Sequence, residues 1–148
     1  MATDSTPAPV ITVDGPGGSG KGTLAALLAE RLGWALLDSG ALYRIVAVVA
    51  RDQGVPYGDN TTDEQVAALE ALAGRLEIRF EAGKVWVDGA DLSTEIRTED
   101  ASTRASRVAA LPPVQRAVLG IQRGMRAAPG LVADGRDMGT VVFADAEL

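Results

Sequence analysis

Short apolar runs and helix-spaced leucines alternate along the first half of the chain until a stretch with a two-residue period interrupts them. Val10-Ile11-Thr12-Val13 predicts a short buried strand. Leu24, Leu27 and Leu28 recur at helical spacing and predict a helix over residues 20–32, with Gly33 as its stop signal. A second strand follows at residues 34–37 and a second helix at 41–52. Pro56, Gly58 and Asp59-Asn60 are turn chemistry within residues 54–60. Thr62, with Gln65 three positions on, is a capping-box pattern that opens a helix over residues 63–73.

From Arg75 the period becomes two. Leu76-Glu77-Ile78-Arg79-Phe80 and Val85-Trp86-Val87 flank Glu81-Ala82-Gly83-Lys84 and predict a β-hairpin. The hairpin interrupts a strand–helix alternation, so residues 58–95 read as an insertion. Residues 96–111 and 113–128 predict two helices that meet at Pro112-Pro113, with Pro113 in the first turn of the second. Gly130 breaks the chain, and Leu131-Val132-Ala133 predicts another buried strand that ends in Asp134. Strand–helix alternation of this kind predicts an α/β fold with a parallel sheet.

Between the first strand and the first helix stands Gly15-Pro16-Gly17-Gly18-Ser19-Gly20-Lys21-Gly22-Thr23. A glycine-rich loop in that setting is a phosphate cradle: its backbone comes close to a ligand without Cβ clashes, and successive N–H groups converge on oxyanions at a helix N-terminus. Lys21 adds a point charge for the β- and γ-phosphates. Gly22 stands where the strict pattern has Ser or Thr, so the hydroxyl expected to help hold Mg²⁺, Thr23, is displaced by one residue. The alternative is a glycine-rich turn with no ligand.

Composition narrows the chemistry. The 148 residues suffice for one domain, and 47% hydrophobic with 4% aromatic content suits an Ala/Val/Leu-rich α/β protein. With no cysteine and no histidine, thiol chemistry, catalytic triads and His metal sites are excluded. A net charge of −6 speaks against non-specific nucleic-acid binding, whereas twelve of the fourteen basic residues are arginines, whose planar forks suit phosphate. Residues 1–9 have neither the apolar core of a signal peptide nor the length of a membrane span, so a cytoplasmic protein is expected.

Two further motifs lie at predicted strand ends, where open α/β sheets bind ligands. Strand two ends in Asp38-Ser39-Gly40, with Tyr43-Arg44 one turn into the next helix. Ser39 is a candidate helix cap. Arg44 is either a surface arginine or an anion ligand. The third strand ends in Asp134-Gly135-Arg136-Asp137. Asp134 is placed to hold Mg²⁺ directly or through water, while Arg136 and Asp137 are either a buried ion pair or ligand contacts. Asp14 either orders waters around Mg²⁺ or caps loop backbone.

Together these segments resemble bacterial cytidylate kinases of the P-loop nucleoside monophosphate kinase class. The resemblance rests on Ile11 through Thr23, Leu37-Asp38-Ser39-Gly40-Ala41-Leu42-Tyr43-Arg44, Glu95-Ile96-Arg97-Thr98 and Leu131 through Phe143. It implies a three-layer α/β/α kinase core over residues 1–148, with residues 58–95 as a monophosphate-binding lobe. It implies ATP- and Mg²⁺-dependent phosphorylation of CMP or dCMP, by a monomer where the protein is complete. Carried over by position, Gly15, Pro16, Gly17, Gly18, Ser19, Gly20, Lys21, Gly22 and Thr23 bind ATP; Thr23 and Asp134 hold the metal. Ser39, Arg44 and Arg136 hold the acceptor phosphate, Ser106 and Asp137 meet the cytosine edge, and Lys21, Arg44 and Arg136 serve the transfer. A carboxylate accepts from the cytosine amino group, which uracil lacks.

One departure touches the base site: the family's Pro-x-Val-Arg reads Pro112-Pro113-Val114-Gln115, with Arg116 next. One residue on a helix is about 100° of rotation, which sets Arg116 off the family position, whereas the Gln115 amide both donates and accepts. The resemblance further implies a fourth strand, an arginine-rich lid and a closing strand and helix beyond Leu148. On that expectation the sheet is incomplete here, and residues 10–13 form an exposed apolar edge open to association.

Overall fold

The computed structural model describes residues 8–15, 20–55, 61–81, 84–135 and 138. In chain order the elements are β1 (Val10–Asp14), α1 (Lys21–Leu32), β2 (Ala35–Asp38), α2 (Ser39–Asp52), α3 (Asp63–Gly74), β3 (Ile78–Glu81), β4 (Lys84–Val87) and β5 (Ala90–Asp91). A single 3-10 turn at Glu95–Arg97 follows, then α4 (Glu99–Ala109), α5 (Pro112–Gly124) and β6 (Leu131–Gly135). The chain forms two units, Met1–Asp38 with Gln122–Leu148, and Ser39–Ile121.

In the first unit β6 lies between β1 and β2, parallel to both. Leu131, Val132 and Ala133 are fully buried, as the continuous apolar run of a central parallel strand requires. α1 covers the sheet with its smallest residues: buried Ala25 and Ala29 meet Val132, and Val13, Leu28, Trp34 and Leu36 pack around them. Of the leucines that predict α1, only Leu28 packs on this face. Leu24, Leu27 and Leu32 are 52%, 48% and 44% exposed. Among the described residues β1 ends the sheet, the edge position expected, with Val10 buried and Ile11, Thr12 and Val13 half-buried.

In the second unit α2 buries Leu42, Ile45, Val46, Val48 and several alanines, the stripe of an amphipathic helix. The expected capping box opens α3: the Thr62 hydroxyl accepts from Gln65 N, and the Gln65 side chain accepts from Thr62 N. The hairpin forms with Ile78 opposite Val87 and Phe80 opposite Val85; residues 82 and 83 of its turn lie outside the described residues, as do 56–60. β5 is an addition. Asp88 and Gly89, with φ of 49° and 86°, reverse the chain tightly enough for Trp86 to pair with Asp91.

The helix predicted over residues 96–111 is two elements. Thr98 is extended, with ψ of 155°, and its hydroxyl accepts from Ala101 N at 3.1 Å, so it caps α4 and separates it from the 3-10 turn. Glu99 and Asp100 in the first turn of α4 reinforce that start. The next helix ends at Gly124 rather than running to residue 128, closing with tight bonds from Met125 N to Gln122 O and Arg126 N to Arg123 O.

Candidate active site

The first unit assembles its candidate residues at the carboxyl end of the parallel strands. The chain leaves β1 through Gly15, whose N–H donates to Gly135 O at 3.2 Å, and enters α1 through Gly20. Gly20 has φ of +84°, a left-handed conformation that disfavours any side chain even though the space around it is open. Pro16, Gly17, Gly18, Ser19 and the Lys21 side chain lie outside the described residues. The first turn of α1 carries no acidic side chain, and Gly22 and Thr23 are exposed there. Its leading N–H groups and the helix dipole therefore favour an anion at this end.

Beside that turn lies Asp134, only 5% exposed. Its Oδ2 is 3.5 Å from where a Cβ on Gly22 would stand, so the carboxylate rests against the start of α1. In register it faces Val13 on β1 and Asp38 on β2. Sequence reasoning gave Asp38 no role of its own, although its position at the end of a strand was a signal.

Of the two roles open to Asp14, one is visible. Its Oδ1 accepts from Met138 N at 2.7 Å, capping the backbone that follows β6. Met138 itself is buried. Together with the Gly15–Gly135 bond, this fixes both flanks of Arg136-Asp137, two residues that lie outside the described ones. Among the described residues no group of three acidic side chains is placed to hold a metal. Mg²⁺ in phosphate sites uses one or two carboxylates and takes its other ligands from phosphate oxygens and water, so the buried Asp134 carboxylate against the start of α1 is of the right chemistry for it.

The second unit carries the other candidates. Ser39 is buried and is the first residue of α2, not its cap as expected. Arg44 is half-buried rather than a surface arginine, and its Nη1 donates to Ile96 O at 3.4 Å. Burial pushes the neighbouring Tyr43 phenol above its ordinary range, keeping it neutral. Ser106 lies on α4, exposed, with its hydroxyl donating to Ser102 O one turn back.

Gln115 is more committed than its chemistry alone suggests: Nε2 donates to Ala109 O at 2.6 Å and so caps the last residue of α4. Arg116 turns to α3, where Nη2 is 3.7 Å from Glu70 Oε2. Sequence reasoning passed over Arg51. Its guanidinium meets Glu95 at 3.0 Å and Asp100 at 3.5 Å, and hydrogen bonding to Asp52 raises its pKa.

A family model described as cytidylate kinase matches residues 11–148, a span that takes in both units and every candidate residue above. The chain belongs to the cytidylate kinase family. Relatives in that family agree closely. A cytidylate kinase of Pseudomonas entomophila is 55% identical over 150 residues, covering 97% of this chain and 63% of the relative. One of Stutzerimonas stutzeri is 55% identical over 148 residues, 96% of this chain and 62% of its own length. One of Bordetella bronchiseptica is 54% identical over 141 residues, 95% and 60%. The chain thus spans about 60–63% of the length of these curated cytidylate kinases. None of the described helices is long and apolar enough to cross a membrane.

Proposed function

We propose that this chain transfers the γ-phosphoryl group of ATP to CMP or dCMP in the cytoplasm. The observation that carries the reading is the buried Asp134 carboxylate against the first turn of α1, at the end of a loop with the phosphate-cradle pattern. Backbone N–H groups from Gly15 through Thr23 hold the triphosphate, and Lys21 supplies charge at its β- and γ-oxygens. Thr23 and Asp134 would hold Mg²⁺, which would supply positive charge to offset that of the phosphates. Ser39, Arg44 and Arg136 hold the acceptor phosphate, Ser106 and Asp137 meet the cytosine, and residues 58–95 close over the monophosphate.

An acceptor phosphate is already an oxyanion, so no general base is needed. Its oxygen bonds to the γ-phosphorus as the bond to the β–γ bridging oxygen breaks, and ADP leaves with that electron pair. The residues' task is alignment and charge neutralisation, which arginine, lysine and carboxylates supply without histidine or cysteine. A second reading is binding of nucleotides without transfer; the chain spans about 63% of the length of a curated relative.

The test is ADP formation by this chain with CMP, dCMP, UMP or AMP as acceptor, with Lys21→Ala as control. Turnover that needs cytidine nucleotides and Lys21 supports the kinase. Tight CMP and ATP binding without turnover supports the second reading. Turnover that survives Lys21→Ala overturns the assignment of the loop.

A further inference from the structure

Arg44 and Arg51 stand two turns apart on α2, within about 20° of each other around its axis. Both reach the same short segment. Arg44 donates to the Ile96 carbonyl at 3.4 Å, and Arg51 pairs with Glu95, the residue before, at 3.0 Å. Arg51 also reaches Asp100 at 3.5 Å in the first turn of α4, and its own neighbour Asp52 at 3.0 Å steadies the guanidinium. Asp100 is held in turn by Arg104 at 2.9 Å. Ile96 is buried, so the 3-10 turn is pinned by a side chain inward and an ion pair outward.

Stability does not explain this cluster. The Arg51, Glu95 and Asp100 side chains are 33%, 49% and 54% exposed, and pairs so exposed contribute little to folding. What the cluster fixes is where the Ile96 carbonyl stands relative to α2. Arg44 spends one of its five N–H donors on that carbonyl and has no other partner among the described residues. The carbonyl therefore sets the plane in which the remaining fork is presented, and a planar fork recognises phosphate only when so oriented.

We propose that Arg51 is a positioning residue: by clamping the Glu95–Arg97 turn to α2 it holds the Ile96 carbonyl that aims Arg44 at the acceptor phosphate. The proposal rests on the reading of Arg44 as a phosphate ligand, and deepens it.

The experiment is a double-mutant cycle on this chain, read as the ratio of cytidine to CMP dissociation constants, which isolates what the phosphate adds. Arg44→Ala lowers that ratio about tenfold or more, the scale of a lost charge-assisted contact. Arg51→Gln lowers it about threefold or more with cytidine affinity unchanged, and lowers it no further in the Arg44→Ala background. Glu95→Gln, which removes only the other half of the clamp, reproduces the effect. If Arg44→Ala leaves the ratio unmoved, or the unaltered chain does not bind CMP, the phosphate-ligand reading falls and this proposal with it. If Arg44→Ala acts while Arg51→Gln leaves the ratio alone, weakens cytidine and CMP equally, or acts additively, the positioning role alone is overturned.

Discussion

The Asp14 carboxylate accepts a 2.7 Å hydrogen bond from the backbone N–H of Met138, joining the end of the first strand to the segment after the last. Met138 is buried, so its N–H depends on this acceptor. Asp14→Ala should cost about 1–3 kcal/mol in urea unfolding, the penalty of an orphaned buried donor. Asp14→Asn keeps an acceptor oxygen and should cost less than half as much. Equal losses would show that the carboxylate's charge, not its acceptor, matters there.

Gly130 is required by a close approach. A Cβ on it would fall 2.4–2.6 Å from the Trp34 ring, which packs against the core of Ala25, Ala29 and Val132. Gly130→Ala should displace the indole and destabilise by about 1–3 kcal/mol, as overpacking does. Tryptophan fluorescence in a Trp86→Phe background reads the displacement directly. An unshifted spectrum with unchanged stability would refute the packing described.

α1 separates sequence period from burial. Leu24→Gln and Leu27→Gln should change the stability of this chain by no more than about 0.5 kcal/mol, since both side chains are largely exposed. Ala29→Leu, by contrast, should cost about 1–3 kcal/mol because the helix lies close on Val132 there. Thermal or urea unfolding checks both, and the reverse order would contradict the placement of the helix.

That helix also shows what the sequence could carry. The glycines and lysine of residues 15–23 marked a strand before them and a helix after, where β1 and α1 stand, and Thr62 with Gln65 marked the start of α3. Which face of α1 is buried was not legible: Leu24, Leu27 and Leu28 mark a helix, but of these only Leu28 packs on the core, beside the fully buried Ala25 and the nearly buried Ala29. Thr98 was hidden within an apolar period although Glu99 and Asp100 behind it are helix-start residues. β5 depends on Asp88 taking a positive φ, a choice settled by pairing rather than by propensity. Asp14, Asp134 and Arg44 were legible as candidates, but their neighbours Met138, Gly22 and Ile96 come from tertiary structure alone.

A titration tests the turn after β5. The Ser93 hydroxyl and backbone N–H both donate to Asp91 Oδ1, and these bonds hold its carboxyl below the ordinary aspartate range, with Lys84 adding a smaller pull. The folded value is lowered, so the stabilisation is complete above the ordinary Asp pKa and lost as pH falls through the folded one. Ser93→Ala should raise the Asp91 midpoint toward the ordinary value in a carboxyl NMR titration. An unchanged midpoint would mean that Ser93 does not hold it.

The most direct measurement is calorimetric titration of ATP into this chain, with and without Mg²⁺, beside Asp134→Asn. The account predicts that Mg²⁺ tightens ATP binding to the unaltered chain, and that Asp134→Asn, which keeps the shape and removes the charge, erases at least about tenfold of that tightening while the fold persists. If the Mg²⁺ effect survives the substitution undiminished, or ATP does not bind, the end of β6 beside α1 is not a nucleotide–metal site.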